Sequence, residues 1–214
     1  KGNSAVTIDQ NLQIFNLALQ KSGGHTLKRD LSASVNDMGD GILNVEFHSI
    51  LQPRLNPIDS SYIEMINHAL DLIDEGKYQA VVIGHEGANF SAGANLNLFL
   101  EQSQDNQWDT LDLAVKTFQN MTQRIRFSKG PVVAAPFQLT LGGGTEIIQP
   151  AAHRVASAET YMGFVEMGVG LIPGGGGNLR MILNAIDENK GAMGAFQKIP
   201  VSYTHLRAHE TQYH

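Results

Sequence analysis

Cysteine is absent from all 214 residues, which removes disulfides, thiol nucleophiles and cysteine-based zinc sites together. Long apolar runs are missing too. Nothing approaches the roughly eighteen residues of a membrane-spanning helix, and Lys1-Gly2-Asn3 lacks the charged-then-apolar order of a secretory leader, so a cytoplasmic setting is the default expectation. Positive charge is in deficit: 15 Lys and Arg stand against 21 Asp and Glu, for a net charge of −6. The broad basic face of a nucleic-acid binder is therefore not expected, and any anionic ligand must be held by local features. What remains, 42% hydrophobic and 17% charged, suffices for one main domain with a substantial core.

Apolar spacing predicts a short helix over 8–22, stopped by Gly23 and Gly24, and then a polar linker over 25–40. A strand is expected at 42–47, entered through the turn-forming Gly39-Asp40-Gly41. Ser61 and Glu64 have capping-box spacing at the start of a helix over about 60–74, whose apolar face is Ile63, Ile66, Leu70 and Ile73. The run Ala-Val-Val-Ile (80–83) reads as a strand buried on both faces. From Trp108 to Phe127 helical spacing returns in Leu111, Ala114, Val115, Phe118 and Ile125; a second buried strand, 131–135, follows. Strands alternating with helices imply α/β layering.

The chemistry is concentrated in glycine-rich frames. Glu146 ends Leu-Gly-Gly-Gly-Thr-Glu (141–146), and Glu166 opens Glu-Met-Gly-Val-Gly-Leu-Ile-Pro followed by Gly174 to Gly177. A third glycine turn lies in Asn-Phe-Ser-Ala-Gly-Ala-Asn (89–95). Turns of this kind expose backbone N–H groups without a Cβ in the way, and two facing each other could form an oxyanion hole. The same spacing also serves plain tight turns, and Glu146 alone could simply complement a helix dipole. Two carboxylates converging on one pocket would instead split their proton affinities into an acid and a base. Glu166, set between Val165 and Met167, needs such a reason to be there.

Other motifs fail on inspection. The four-glycine run lacks the Lys and Ser/Thr of a phosphate-binding P-loop, and Pro173 interrupts any dinucleotide fingerprint. His85-Glu86 has no second histidine at 89, and Ser91 is not in a Gly-x-Ser-x-Gly elbow. His205 and His209 have helical spacing for a metal, but nothing nearby completes a ligand set, so no metal is expected.

In order and spacing, the three glycine motifs resemble the enoyl-CoA hydratase (crotonase) family over about residues 38–185. The resemblance implies an α/β fold, a spiral of repeated ββα units, with the C-terminal helical part truncated. It places Glu146 and Glu166 on the two catalytic glutamates and the backbone amides of Ala94 and Gly143 at the oxyanion hole. Arg54, Phe90, Ser91, Ala92, Gly93, Gly142 and Gly174 would line the substrate site, with Arg54 available to a phosphate. The implied reaction is reversible syn addition of water to a trans-2-enoyl-CoA in fatty-acid β-oxidation. Coenzyme A would then be part of the substrate, with no separate cofactor, and the intact protein would form a homo-oligomer. The text around Glu166 looks most like the hydratase part of bacterial bifunctional proteins that also carry a 3-hydroxyacyl-CoA dehydrogenase. By that likeness residues 1–37 would be a linker and the tail of the dehydrogenase part, where NAD would bind, residues 38–199 an incomplete crotonase-like domain, and residues 200–214, which resemble translated adapter DNA, a non-native scar. An isomerase on the same scaffold, or a non-catalytic acyl-CoA-binding remnant, are the alternatives.

Overall fold

A computed structural model describes residues 17–189 and 206–207. The main sheet has six strands, in spatial order β1 (Thr26–Arg29), β2 (Ala33–Asp37), β3 (Ile42–Phe47), β4 (Ala80–Ile83), β5 (Val132–Ala134) and β7 (His153–Arg154). The first three pair antiparallel; from β3 onward every pairing is parallel. A second sheet holds β6 (Leu139–Leu141) parallel to β8 (Tyr161–Gly163), with β9 (Leu206–Arg207) antiparallel to β8. Isolated parallel bridges, Ser91 to Thr140 and Ile58 to Ala94, attach the 89–95 turn to its neighbours.

The expected strands at 42–47, 80–83 and 131–135 and the helix at 60–74 are present, but residues 25–40 are not a linker. They form β1 and β2, so the sheet begins at Thr26, ahead of residue 38. Polarity concealed them. Ala33 and Val35 enter the hydrophobic core, while Ser34 and Asn36 on the opposite face are equally buried. Their side chains are satisfied internally: Ser34 Oγ donates to Glu46 Oε2 at 3.0 Å, and Asn36 Nδ2 donates to Asn44 Oδ1 at 3.2 Å. Lys21, on helix α1 (Leu17–Ser22), donates to Glu46 Oε1 at 2.7 Å and neutralises a buried carboxylate. The rest of the helix expected over 8–22, like His205 and His209, lies outside the described residues.

Helix α2 (Ser60–Asp74) buries Tyr62, Met65, Ile66, Ala69, Leu70 and Ile73 against the apolar face of β2 and β3. Its start differs from the expected capping box. Asp59 is the N-cap, its carboxylate accepting from Tyr62 N, while Ser61 Oγ donates to Asp30 and Glu64 pairs with Lys28. Helix α3 (Leu96–Gln104) buries no residue, which is why no periodic core face announced it. Helix α4 (Trp108–Arg126) follows; Met121, Thr122 and Ile125 are buried and Phe118 packs against the core. Short helix α5 (Gly143–Ile148) leaves β6, a 3-10 turn (Glu166–Val169) follows β8, and α6 (Gly177–Asn189) completes the described chain before β9. Among the described residues, no helix is long and apolar enough to cross a membrane.

Candidate active site

Strand β6 brings two glycine turns together. Ser91 N donates to Leu139 O at 3.0 Å and Leu141 N to Ser91 O at 2.8 Å, so the 89–95 turn runs beside β6 as an added strand. The chain then swings through Gly142 at φ 53° and ψ −123°, backbone that an L side chain resists, into α5. Gly143 N heads that helix, where no intrahelical acceptor exists. A Cβ on Gly93 would stand 3.2 Å from Gly143 N, which puts the 93–94 main chain directly against that amide. Ala94 is held through its neighbour, Ile58 N donating to Gly93 O at 2.9 Å. Among the described residues neither Ala94 N nor Gly143 N has an acceptor, leaving two adjacent donors for one incoming oxygen.

The carboxylates arrive from the same pair of strands. Leu141 of β6 is opposite Gly163 of β8, and Gly142 N donates to Gly163 O at 2.8 Å. Glu166 lies three residues past that rung and Glu146 five residues past its partner. Glu146 is 4% exposed, and its Oε1 accepts from Gly175 N at 2.7 Å and Gly177 N at 2.8 Å. It sits in the first turn of α5 yet uses its charge at the start of α6, a role the dipole of its own helix does not explain. Glu166 is half-buried; its Oε2 is buried without a partner, and its Oε1 lies 3.0 Å from where a Cβ on Gly142 would stand.

Burial pushes Glu146 up to about 7, and the charge of Glu166 adds to the rise against the two amide bonds. Burial also raises Glu166. Backbone amides favour the ionised form of both groups, Gly175 and Gly177 at Glu146 and the main chain of Val165 and Glu166 at Glu166, while burial raises both, so near neutrality the pair shares a proton. The arrangement strains the fold. Between the ordinary value of 4.5 and about 7 the folded chain binds more protons at Glu146 than the unfolded chain, so stability falls as pH rises through that window. A rise of that size corresponds to about 3 kcal/mol. Glu146→Gln should therefore gain stability relative to the parent on going from pH 5 to pH 8, measured by urea midpoints; a pH-independent difference would contradict the buried-carboxylate account.

Thr145 fixes the turn between these groups. Fully buried, its Oγ1 donates to Thr140 O at 2.6 Å and accepts from Gly163 N at 3.0 Å, joining α5 to both β6 and β8. Thr145→Val keeps the shape but removes the hydroxyl that ties α5 to the β6–β8 ladder, at a cost of about 1 kcal/mol for each hydrogen bond lost. Thr145→Ser should recover most of that in thermal unfolding.

Several residues expected to line the substrate site are placed differently. The Phe90 side chain is fully buried among Phe47, His85 and Phe137, and its main chain is bonded to Phe137 O, Asn56 and His85; it supports the turn from below. Ser91 is likewise consumed internally, its Oγ accepting from Gly93 N at 3.1 Å. Ala92 N donates to Leu55 O at 2.7 Å, and Asn89 Nδ2 donates to Arg54 O at 2.7 Å, so the exposed Arg54 does stand beside the 89–92 segment. Gly174 O accepts from Gln119 Nε2, and the amides of Gly175 and Gly177 reach Glu146. Burial lowers His85 to about 4, which keeps it neutral within the aromatic cluster.

The sequence profile of a family described as enoyl-CoA hydratase/isomerase matches residues 51–196. The chain belongs to the enoyl-CoA hydratase/isomerase family. A protein of Bacillus subtilis (strain 168) named probable 3-hydroxyacyl-CoA dehydrogenase is 39% identical over 96% of the chain and 26% of its own length. A probable enoyl-CoA hydratase of the same organism is 29% identical over 62% of the chain and 51% of its own. The chain thus spans about a quarter of the first of these family relatives. Crystal structures of enoyl-CoA hydratases from Bacillus anthracis and Thermoplasma volcanium superpose with a TM-score of 0.67 each, at 23% and 24% identity. They cover 84% and 85% of the chain, and 66% and 68% of their own lengths. The likeness establishes the crotonase fold, an α/β architecture with a largely parallel sheet.

Proposed function

We propose that this chain carries hydratase chemistry: the reversible syn addition of water to a trans-2-enoyl-CoA. The observation that carries it is the pair of converging carboxylates, one gripped by two amides and one without a partner on its buried oxygen, beside two unused backbone donors. The thioester oxygen would accept from Ala94 N and Gly143 N, which stabilise it as enolate character develops. Glu146 takes a proton from water as the oxygen bonds to C3; Glu166 gives its proton to C2, and the carbon–carbon double bond becomes single. The proton count balances when Glu146 passes its proton back through the site to Glu166. Arg54, exposed beside the 89–92 turn, is the cation offered to a phosphate of coenzyme A.

The 39% relative supports a bifunctional setting, since its name is that of an enzyme acting on a 3-hydroxyacyl-CoA, the product of this hydration. NAD would belong to that activity and not to the residues described, and β-oxidation of fatty acids is the matching context. Isomerisation needs one proton-shuttling carboxylate, so two converging ones favour hydration. Loss of the conjugated-thioester absorbance of crotonyl-CoA is the test: turnover supports hydration, whereas binding without turnover would leave an acyl-CoA-binding function.

A further inference from the structure

The loop that holds Glu146 is itself held from α4. Gln119 Nε2 donates to Gly174 O at 2.7 Å, and Thr122 Oγ1 donates to Gly175 O at 2.8 Å. Gly174 O and Gly175 N are the two ends of one peptide group, and Gly175 N is the shorter of the two donors on Glu146 Oε1. A chain therefore runs from the Gln119 amide through the 174–175 peptide to the carboxylate. Each bond in such a chain polarises the next. Gln119 lies on the exposed side of α4, fifty-five residues from Gly174, and touches neither carboxylate.

We propose that Gln119 is a positioning residue for Glu146: by donating to Gly174 O it orients and polarises the peptide whose N–H grips the carboxylate, and so sets how firmly Glu146 keeps its charge. The catalytic consequence rests on the hydratase reading above; the effect on ionisation does not. Among the described residues, the titratable group that acts on Glu146 is Glu166, on the 3-10 turn. The other elements packed there present non-titrating groups: Phe118 from α4, Phe164 after β8, and the amides of Gly175 and Gly177 at α6.

The test titrates Glu146 directly. In chain labelled with ¹³C at the glutamate carboxyl, the Glu146 resonance is assigned by its loss in Glu146→Gln and followed against pH in the parent, Gln119→Met and Gln119→Lys. Met keeps the length and removes the donor, so the midpoint should rise. A polarisation of 10–30% on a charge-assisted bond predicts roughly 0.1–0.7 pH unit. Lys restores a donor and adds a cation, so the midpoint should fall below the parent's. A fall with Lys alone is direct charge attraction, so the rise with Met is the result that establishes the relay. A change under about 0.1 pH unit with Met, or a fall, overturns it. Should hydration be observed, the acid limb of kcat against pH should move with the resonance; should none be observed, the hydratase reading fails while the titration still decides the relay.

Discussion

Glu146→Gln and Glu166→Gln are each expected to lower kcat for crotonyl-CoA hydration by about 10²–10⁴-fold, the range for losing a positioned acid or base. An amide side chain at position 146 would preserve a carbonyl oxygen to accept from Gly175 N and Gly177 N, so the fold around it has no reason to collapse. What it cannot do is take a proton from water. At 166 the amide likewise fills the same volume beside Gly142 but has no acid proton to give to C2. Both groups act in one addition step, so the double variant should be barely worse than the poorer single one. Turnover that survives loss of one glutamate would point to an isomerase-like single shuttle. Turnover indifferent to both would overturn the carboxylate mechanism outright.

Gly175→Ala should be nearly as damaging, for a steric reason. An added Cβ would collide with Phe118 Cε1 and would lie 2.6 Å from Phe118 Cδ1 and 2.9 Å from Glu146 Oε2. Either the ring moves within a packed region or the loop withdraws and takes its amide from Glu146. Overpacking of this kind costs about 1–3 kcal/mol, and displacing a catalytic group by an ångström costs on the order of 10²-fold in rate. Adding Phe118→Leu should restore thermal stability, since the ring tip is gone, but only part of the rate, since the contact with Glu146 persists. Gly168→Ala is the matched control: nothing lies within 4 Å of its Cβ position, and both properties should hold. A Gly175→Ala chain with parental rate and melting temperature would contradict this account of the loop.

The parts of the fold visible in the sequence were those whose apolar pattern matches their burial. Helix α2 and strands β3, β4 and β5 place apolar residues where the core needs them. Strand β2 escaped because Ser34 and Asn36 are buried by hydrogen bonding, which looks the same in a sequence as exposure. Helix α3 escaped for the opposite reason: its leucines face outward. In the candidate site, the approach of the two glutamates to each other and of the Ala94 turn to Gly143 was legible because it follows the order of the three glycine turns. The internal bonding of Phe90 and Ser91 was not, since a motif does not show which way its side chains turn. Gln119 was invisible, because its partner is a peptide carbonyl distant in the chain and any glutamine on a helix face reads alike.

The rung joining Leu141 to Gly163 carries a consequence for how this protein can vary over generations. From that one pairing the chain counts out two residues to the Gly143 amide, five to Glu146 and three to Glu166. Substitutions elsewhere trade off by degrees, but a single residue gained or lost in either count would turn a reactive group to the wrong face. Lineages that keep the reaction should therefore hold these two spacings rigid, while length drifts freely at a turn such as 104–107, from which no reacting group is measured.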